Sequence, residues 1–241
     1  MNKFYTNKKQ IINWLEKHEV RNYKLVPDKQ YVFIVDVTGN VDLSDKKLFN
    51  IPVKFNEVNG SFNCSDNQLT SLEFCPQKVD DSFLCSNNKL TSLKFNPATV
   101  GGGFYCNHNK LTSLEFSPQK VVGSFFCYNN QLTTLEFSPQ TVGGGFYCNN
   151  NKLASLEFCP QAVRGSFYCQ DNKLTSLEFC PQAVGDSFYC ENNSELKEIQ
   201  KITNFKLILL EHRKILATNL SDKLNDDLID DNIKKTAKIK I

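Results

Sequence analysis

Gly144-Gly145-Phe146-Tyr147-Cys148-Asn149-Asn150-Asn151-Lys152-Leu153-Ala154-Ser155-Leu156-Glu157-Phe158-Cys159-Pro160-Gln161-Ala162-Val163-Arg164 is one turn of a pattern that recurs every 21 residues along this 241-residue chain. Six copies begin in succession at Gly60, Asp81, Gly102, Gly123, Gly144 and Gly165 without a slip. A weaker copy, Gly39–Asn59, precedes them, and a shortened one follows Asp186. Units of equal length stacked in one direction bury a continuous core that no single unit could bury alone. The repeat therefore predicts one elongated solenoid with two ends rather than two globular domains.

Within the quoted unit, Phe146 and Cys148 alternate with Gly145 and Tyr147, the period of two that a short strand with one buried face requires. Leu153 and Leu156 follow at a spacing that cannot continue the strand. Phe158 and Val163 are the next inward candidates. Pro160 stands between them, lacks an amide donor and fixes its own φ, so the return path is expected to be extended or a turn of tight helix. The Asn at the turn, Asn67, Asn88, Asn109, Asn130, Asn151, Asn172 and Asn193 in successive units, is suited to satisfy backbone groups where the strand bonds stop.

The pattern F-x-C-x-x-N-x-L-x-x-L resembles the strand-and-turn signature of leucine-rich repeats, with Phe and Cys where two Leu usually stand. The L-T-S-L-x-x-x-P portion is similar to the short bacterial and phage type of that family, found in the repeat domains of bacterial effectors. The resemblance covers about residues 39–200. It implies an α/β solenoid, mostly β, with a parallel sheet on one face and extended or tight-helical return segments. It also implies a non-enzymatic protein-binding module, such as a bacterial or phage inhibitor or effector that occupies a partner surface. An effector adaptor of ubiquitin-ligase type and a passive structural component are the alternatives.

The ends are read as helical caps, which close the apolar faces and strand edges of a stack. Residues 1–38 make an N-terminal helix-strand cap. In it Thr6 is the expected N-cap, Ile11, Trp14, Leu15 and His18 repeat at helical spacing, and residues 31–37 alternate as a strand. Residues 39–200 form the solenoid of eight coils, the first and last atypical. Residues 201–241 are expected to be a C-terminal cap, with Leu207–Leu210 and Ile215–Leu216 closing the far end, and a charged tail.

Charge is nearly balanced, 28 basic against 26 acidic residues for a net +2, which gives no general argument for nucleic acid or anionic membrane as partner. Residues 1–10 have no apolar run of signal-peptide length, so a cytoplasmic protein is expected, in the producing or the host cell. Seven of the ten cysteines (Cys64, Cys85, Cys106, Cys127, Cys148, Cys169 and Cys190) share one inward repeat position. They are expected to be buried free thiols. The other three, Cys75, Cys159 and Cys180, share a second position that elsewhere carries Asn96, Ser117 or Ser138. That polar exchange predicts a surface place.

Neither catalysis, a metal nor a cofactor is expected. Cys64-Ser65-Asp66 and Cys169-Gln170-Asp171 match the letters of a ligase Cys-x-Asp motif but lie in register inside structural coils. His108 reads as a variant of a turn Asn. A zinc site needs about four ligands in a tetrahedron, whereas a ladder supplies a line. The functional candidate is an outward position that reads Asn63, Leu84, Tyr105, Phe126, Tyr147, Tyr168 and Tyr189. Its five aromatics predict an accessible stripe about 19 Å long, with Tyr128 beside it and Asn149 and Gln170 as a polar rim. Glu115, Glu136, Glu157 and Glu178 form another outward row, expected to be simply solvated.

Overall fold

The computed structural model describes residues 4–194 and Leu196. Each repeat lays down two short strands. The front strand of the quoted unit, Phe146–Tyr147, pairs in parallel with Phe125–Phe126 before it and Phe167–Tyr168 after it. The back strand, Ala162–Val163, pairs in parallel with the back strands of both neighbours. Front strands build an eight-stranded sheet and back strands contribute to a nine-stranded one. The return path is therefore extended, as one of the two expectations had it. The apolar contents of each coil lie between the sheets: Phe146, Cys148, Leu153 and Leu156 are fully buried and Val163 nearly so. The inward rings stack from Phe62 to Phe188 with centroids 5.4–5.9 Å apart.

Strands of two residues cannot hold a coil by sheet bonds alone, and the turn Asn supplies what they lack. Asn130 Nδ2 donates to Cys127 O at 3.0 Å within its own coil and to Cys106 O at 3.1 Å in the coil before. Its Oδ1 accepts from the Leu111 amide at 3.0 Å. The same set recurs at Asn67, Asn88, Asn109, Asn151, Asn172 and Asn193, all buried. In the first coil Lys46 stands at this position and offers its backbone amide to Asn67 Oδ1 instead. The expected Asn ladder is thus present, and each rung ties its coil to the previous one.

Beyond Leu156 the chain makes a four-residue turn closed by Cys159 N–H donating to Leu156 O at 3.1 Å. Phe158 occupies the third place of that turn with φ +68°, and Phe95, Phe116, Phe137 and Phe179 repeat it at φ +64° to +71°. This corrects the inward assignment of Phe158: the left-handed backbone turns the ring outward, and it is 49% exposed. The surface placement of the second cysteine position is corrected as well. Cys75, Ser117, Ser138 and Cys159 are buried, and Asn96 and Cys180 are half-buried. Ser117 Oγ donates to Phe137 O at 2.5 Å, Ser138 Oγ to Phe158 O at 2.6 Å and Cys159 Sγ to Phe179 O at 3.2 Å. The position needs a small donor, and Ser, Cys and Asn each provide one. Asn96 donates to Phe116 O in the same way, but its Oδ1 is shielded from solvent without a partner among the described residues.

At the N-terminus, α1 (Lys8–Lys17) buries Ile11, Trp14 and Leu15, with His18 just past its end also buried. Its N-cap is Asn7 rather than Thr6, the Asn7 carboxamide accepting from the Lys9 amide at 2.9 Å. A hairpin follows: β1 (Tyr23–Asp28) runs antiparallel to β2 (Val32–Val37). After β3 (Val41–Asp42), the first front strand, the back strand β4 (Phe55–Val58) pairs in parallel with β2. β1 was not foreseen. It carries Pro27 on the outer edge of the back sheet, where a missing amide donor is tolerated. Residues 201–241, for which a cap and tail are expected, lie outside the described residues.

One corner of the coil alternates. The residue after the back-strand Val is Asp80, Gly101, Val122, Gly143, Arg164 and Gly185 in successive coils. A Cβ on Gly143 would stand 2.1 Å from Val122 O, and one on Gly101 or Gly185 would stand 2.0 Å from Asp80 O or Arg164 O. At each of these Gly the backbone carbonyl of the preceding coil takes the space a Cβ would need, whereas Asn59 and Asp80 place side chains at this corner in two successive coils.

Replacing Asn130 by Leu leaves the Leu111 amide and the Cys106 and Cys127 carbonyls without this partner. A loss of roughly 1–3 kcal/mol is expected, measured as a lower urea midpoint, with Gln131→Leu on the exposed neighbouring position near neutral.

Candidate functional site

The front sheet carries the predicted stripe, and its geometry differs from the expectation in one respect. Tyr105, Phe126, Tyr147, Tyr168 and Tyr189 stand on five adjacent strands in register. Their rings form one column, with centroids 4.4, 4.3, 4.8 and 4.4 Å apart and planes within 27° of parallel. Adjacent rings therefore cover each other's facing sides, and all five residues are half-buried. The expected open rings are corrected to a stack that presents edges and Tyr hydroxyls. Strand spacing causes this, because parallel rungs about 4.8 Å apart leave planar side chains little choice but to stack.

Space beneath the column is also controlled. A Cβ on Gly103 would lie 2.7 Å from the Tyr105 ring, and one on Gly145 would lie 2.7 Å from the Tyr147 ring. Those two rings fold back over bare backbone. Tyr128 meets Phe126 edge-on at 6.4 Å and His108 at 5.1 Å. His108 has φ +53°, and its Nε2 lies 3.1 Å from Asn129 Nδ2, so it sits in the turn row as expected. Asn149 and Gln170 flank the column half-buried, and Gln170 Oε1 is shielded from solvent with no hydrogen-bond partner among the described residues. Burial raises the Tyr147 and Tyr168 hydroxyls above their ordinary range, and the Tyr189 hydroxyl beside Tyr168 adds to the effect. The column thus offers neutral hydroxyls able to donate or accept.

The seven inward thiols are free and buried. Cys85, Cys106, Cys148 and Cys169 each point Sγ at the front-strand carbonyl of the next coil at 3.3 Å. Removal from water pushes each of them up from the ordinary thiol value, and Cys190 up to about 12. A neutral buried thiol is a poor nucleophile, so Cys169 and the equally buried Cys64 have the environment of packing groups. Among the described residues, no cluster of His, Cys, Asp and Glu could hold a metal ion, and no helix is long and apolar enough to cross a membrane.

Sequence reading missed the exposed Phe row of the back side, Phe95 to Phe179. The signal was available: Phe precedes a small donor and Pro, as in Phe158-Cys159-Pro160, at the place where a four-residue turn needs positive φ. Phe at that place pointed to a core residue only because apolar side chains usually are.

No family model matches this sequence, and no curated protein does. A solved structure, YopM from Yersinia enterocolitica WA-314, is similar at 17% identity and a TM-score of 0.48, over 65% of this chain and 38% of that one. The architecture described above stands on the chain's own strand pairing and Asn ladder.

The raised thiols set a pH dependence. The folded state keeps these thiols protonated, whereas the unfolded chain ionises them near pH 8.5. The unfolded state then binds fewer protons, so stability is full below about pH 8.5 and falls as pH rises above it. Urea midpoints are expected to drop between pH 7 and pH 10, and a Cys106→Ala, Cys127→Ala variant should show a smaller drop than the parent. Equal drops would place the titrating groups elsewhere.

Proposed function

We propose that this protein is a non-enzymatic binding module that grips a protein partner with the front sheet and acts by occupying that partner's surface. The observation that carries the reading is the five-ring column centred on Tyr147. Its three inner rings, Phe126, Tyr147 and Tyr168, are each held between two others, so little of their side-chain entropy is left to lose on binding. Its Tyr hydroxyls and ring edges combine apolar area with hydrogen bonding, the combination found at binding hot spots. The unpaired Gln170 Oε1 beside it supports the same reading, since a donor from a partner would satisfy it. A protein surface is also the ligand class that matches a long, shallow, repeated face better than a small molecule, which needs a concave site.

The test compares Tyr147→Ser, Tyr168→Ser with a Glu136→Ser, Glu157→Ser control. Both are checked for intact folding by circular dichroism and then assayed against a partner recovered by affinity capture. Truncation at a hot spot costs on the order of 2 kcal/mol or more, about thirtyfold in Kd. The Tyr variant is expected to lose at least that factor and the Glu control little. Equal affinities for both variants and the parent would remove the column from the interface.

A further inference from the structure

The back side of the solenoid holds a second aromatic row with a different character. Phe95, Phe116, Phe137, Phe158 and Phe179 are 46–50% exposed, and all five lie in the left-handed region. A bulky residue at positive φ is disfavoured where Gly would be relaxed. The rings add little to the core, yet the chain repeats this unfavourable choice in five consecutive coils. Backbone geometry and core packing both leave the Phe side chains unexplained, whereas use of the rings at the surface explains them. The rings also border an open groove of about 760 Å³ between Phe95 and Phe116, floored by Pro97 and Pro118.

Two contacts made by the chain itself show what Phe at this repeat position can hold. The first is at Phe74, one repeat before the row and without its positive φ, which is buried with Phe4 at 5.4 Å and Tyr31 edge-on at 6.0 Å. The second is at Phe95, which has Lys94 Nζ over its ring at 5.1 Å. One rung thus accepts aromatic rings and the next a cation. In the following coils the residue before Phe is no longer Lys but Glu: Glu115, Glu136, Glu157 and Glu178, all exposed. Four bare rings therefore run beside four carboxylates.

We propose that the row Phe116, Phe137, Phe158 and Phe179 is a docking strip for a basic, aromatic segment of a second protein. Arg or Lys of that segment lies over the rings, as Lys94 does over Phe95, and pairs with the adjacent Glu side chains. Its aromatic side chains pack on the rings as Phe4 and Tyr31 do on Phe74. Arg is favoured over Lys, because a guanidinium can stack on a ring and fork to a carboxylate at once. The carboxylate row turns away polyanions along the Phe137 to Phe179 stretch, while Lys78 and Lys120 line the groove at the Phe95 end. This surface lies at the turns that lead into the back strands, not on the front sheet that carries the Tyr147 column, and its occupant need not be the same protein.

The probe is a fluorescein-labelled peptide of alternating Arg and Tyr, about eight residues long. That is enough to cross the roughly 14 Å of three strand spacings. Its binding to the full chain is followed by fluorescence anisotropy. The parent should bind it, more weakly as salt rises, and should not bind a peptide of alternating Glu and Tyr. Phe137→Gly, Phe158→Gly should weaken binding at least tenfold. Because Gly suits the turn, this variant should melt no lower than the parent, which separates lost binding from lost folding. Glu136→Gln, Glu157→Gln should weaken it severalfold, and Tyr147→Ser, Tyr168→Ser should leave it unchanged. Equal binding of both peptides, or parent-like binding by the Phe variant, would overturn the proposal. So would loss of binding in the Tyr variant alone, which would move the peptide to the front face and leave the front-sheet reading standing. Sedimentation velocity covers the remaining occupant: a parent dimer that the Phe variant converts to monomer, without peptide binding by either, would assign the strip to a second copy of the chain and sink the proposal.

Discussion

The carboxamide of the turn Asn is the interaction on which the rest depends. Front strands of two residues are followed by carbonyls that face buried carboxamides. Buried carbonyls without donors would each cost free energy comparable to a lost hydrogen bond. Asn130 answers two such carbonyls with its amide and one orphan N–H with its oxygen. Because one carbonyl and the N–H belong to the preceding coil, the bond that seals a turn is also the bond that sets the distance and register between coils. The positions of the Leu, Phe and Cys layers follow from that register.

Register carried over many coils turns every side chain into a line of its own kind. A line of Phe inside stacks at about 5.5 Å and fills the core. A line of Tyr and Phe outside stacks more closely, at 4.3–4.8 Å, because nothing else occupies the front surface between the rings. Lines of unlike groups cannot converge on a point. The described coils therefore present long faces of repeated groups, and the two aromatic rows are such faces.

Most of the coil was legible in sequence because its signals are periodic and physical. Phe146, Cys148, Leu153 and Leu156 show the inward set, and the Asn row shows the turn. What escaped reading depended on backbone conformation that letters do not display. Phe158 looks like a core residue until its positive φ turns it out. Cys159 and Ser117 look like surface residues by their interchange, yet they are buried because both donate to a Phe carbonyl. The column of Tyr147 was placed correctly by strand alternation, but its ring stacking follows from rotamers and from the bare Gly145 below it.

The alternation of Asp80, Gly101, Val122, Gly143, Arg164 and Gly185 bears on how such a molecule can change length. Each Gly in the series sits where the carbonyl of the preceding coil excludes a Cβ. From Asp80 onward, coils with a side chain at the corner alternate with coils without one, while Asn59 and Asp80 put two side chains in succession at the N-terminal end. Excising residues 123–143 would keep the 21-residue phase and bring Val122 and Arg164 into succession, whereas gain or loss of 42 residues would leave the alternation as it is. A change in length by pairs of coils is therefore the one that leaves every Gly facing the carbonyl it faces now.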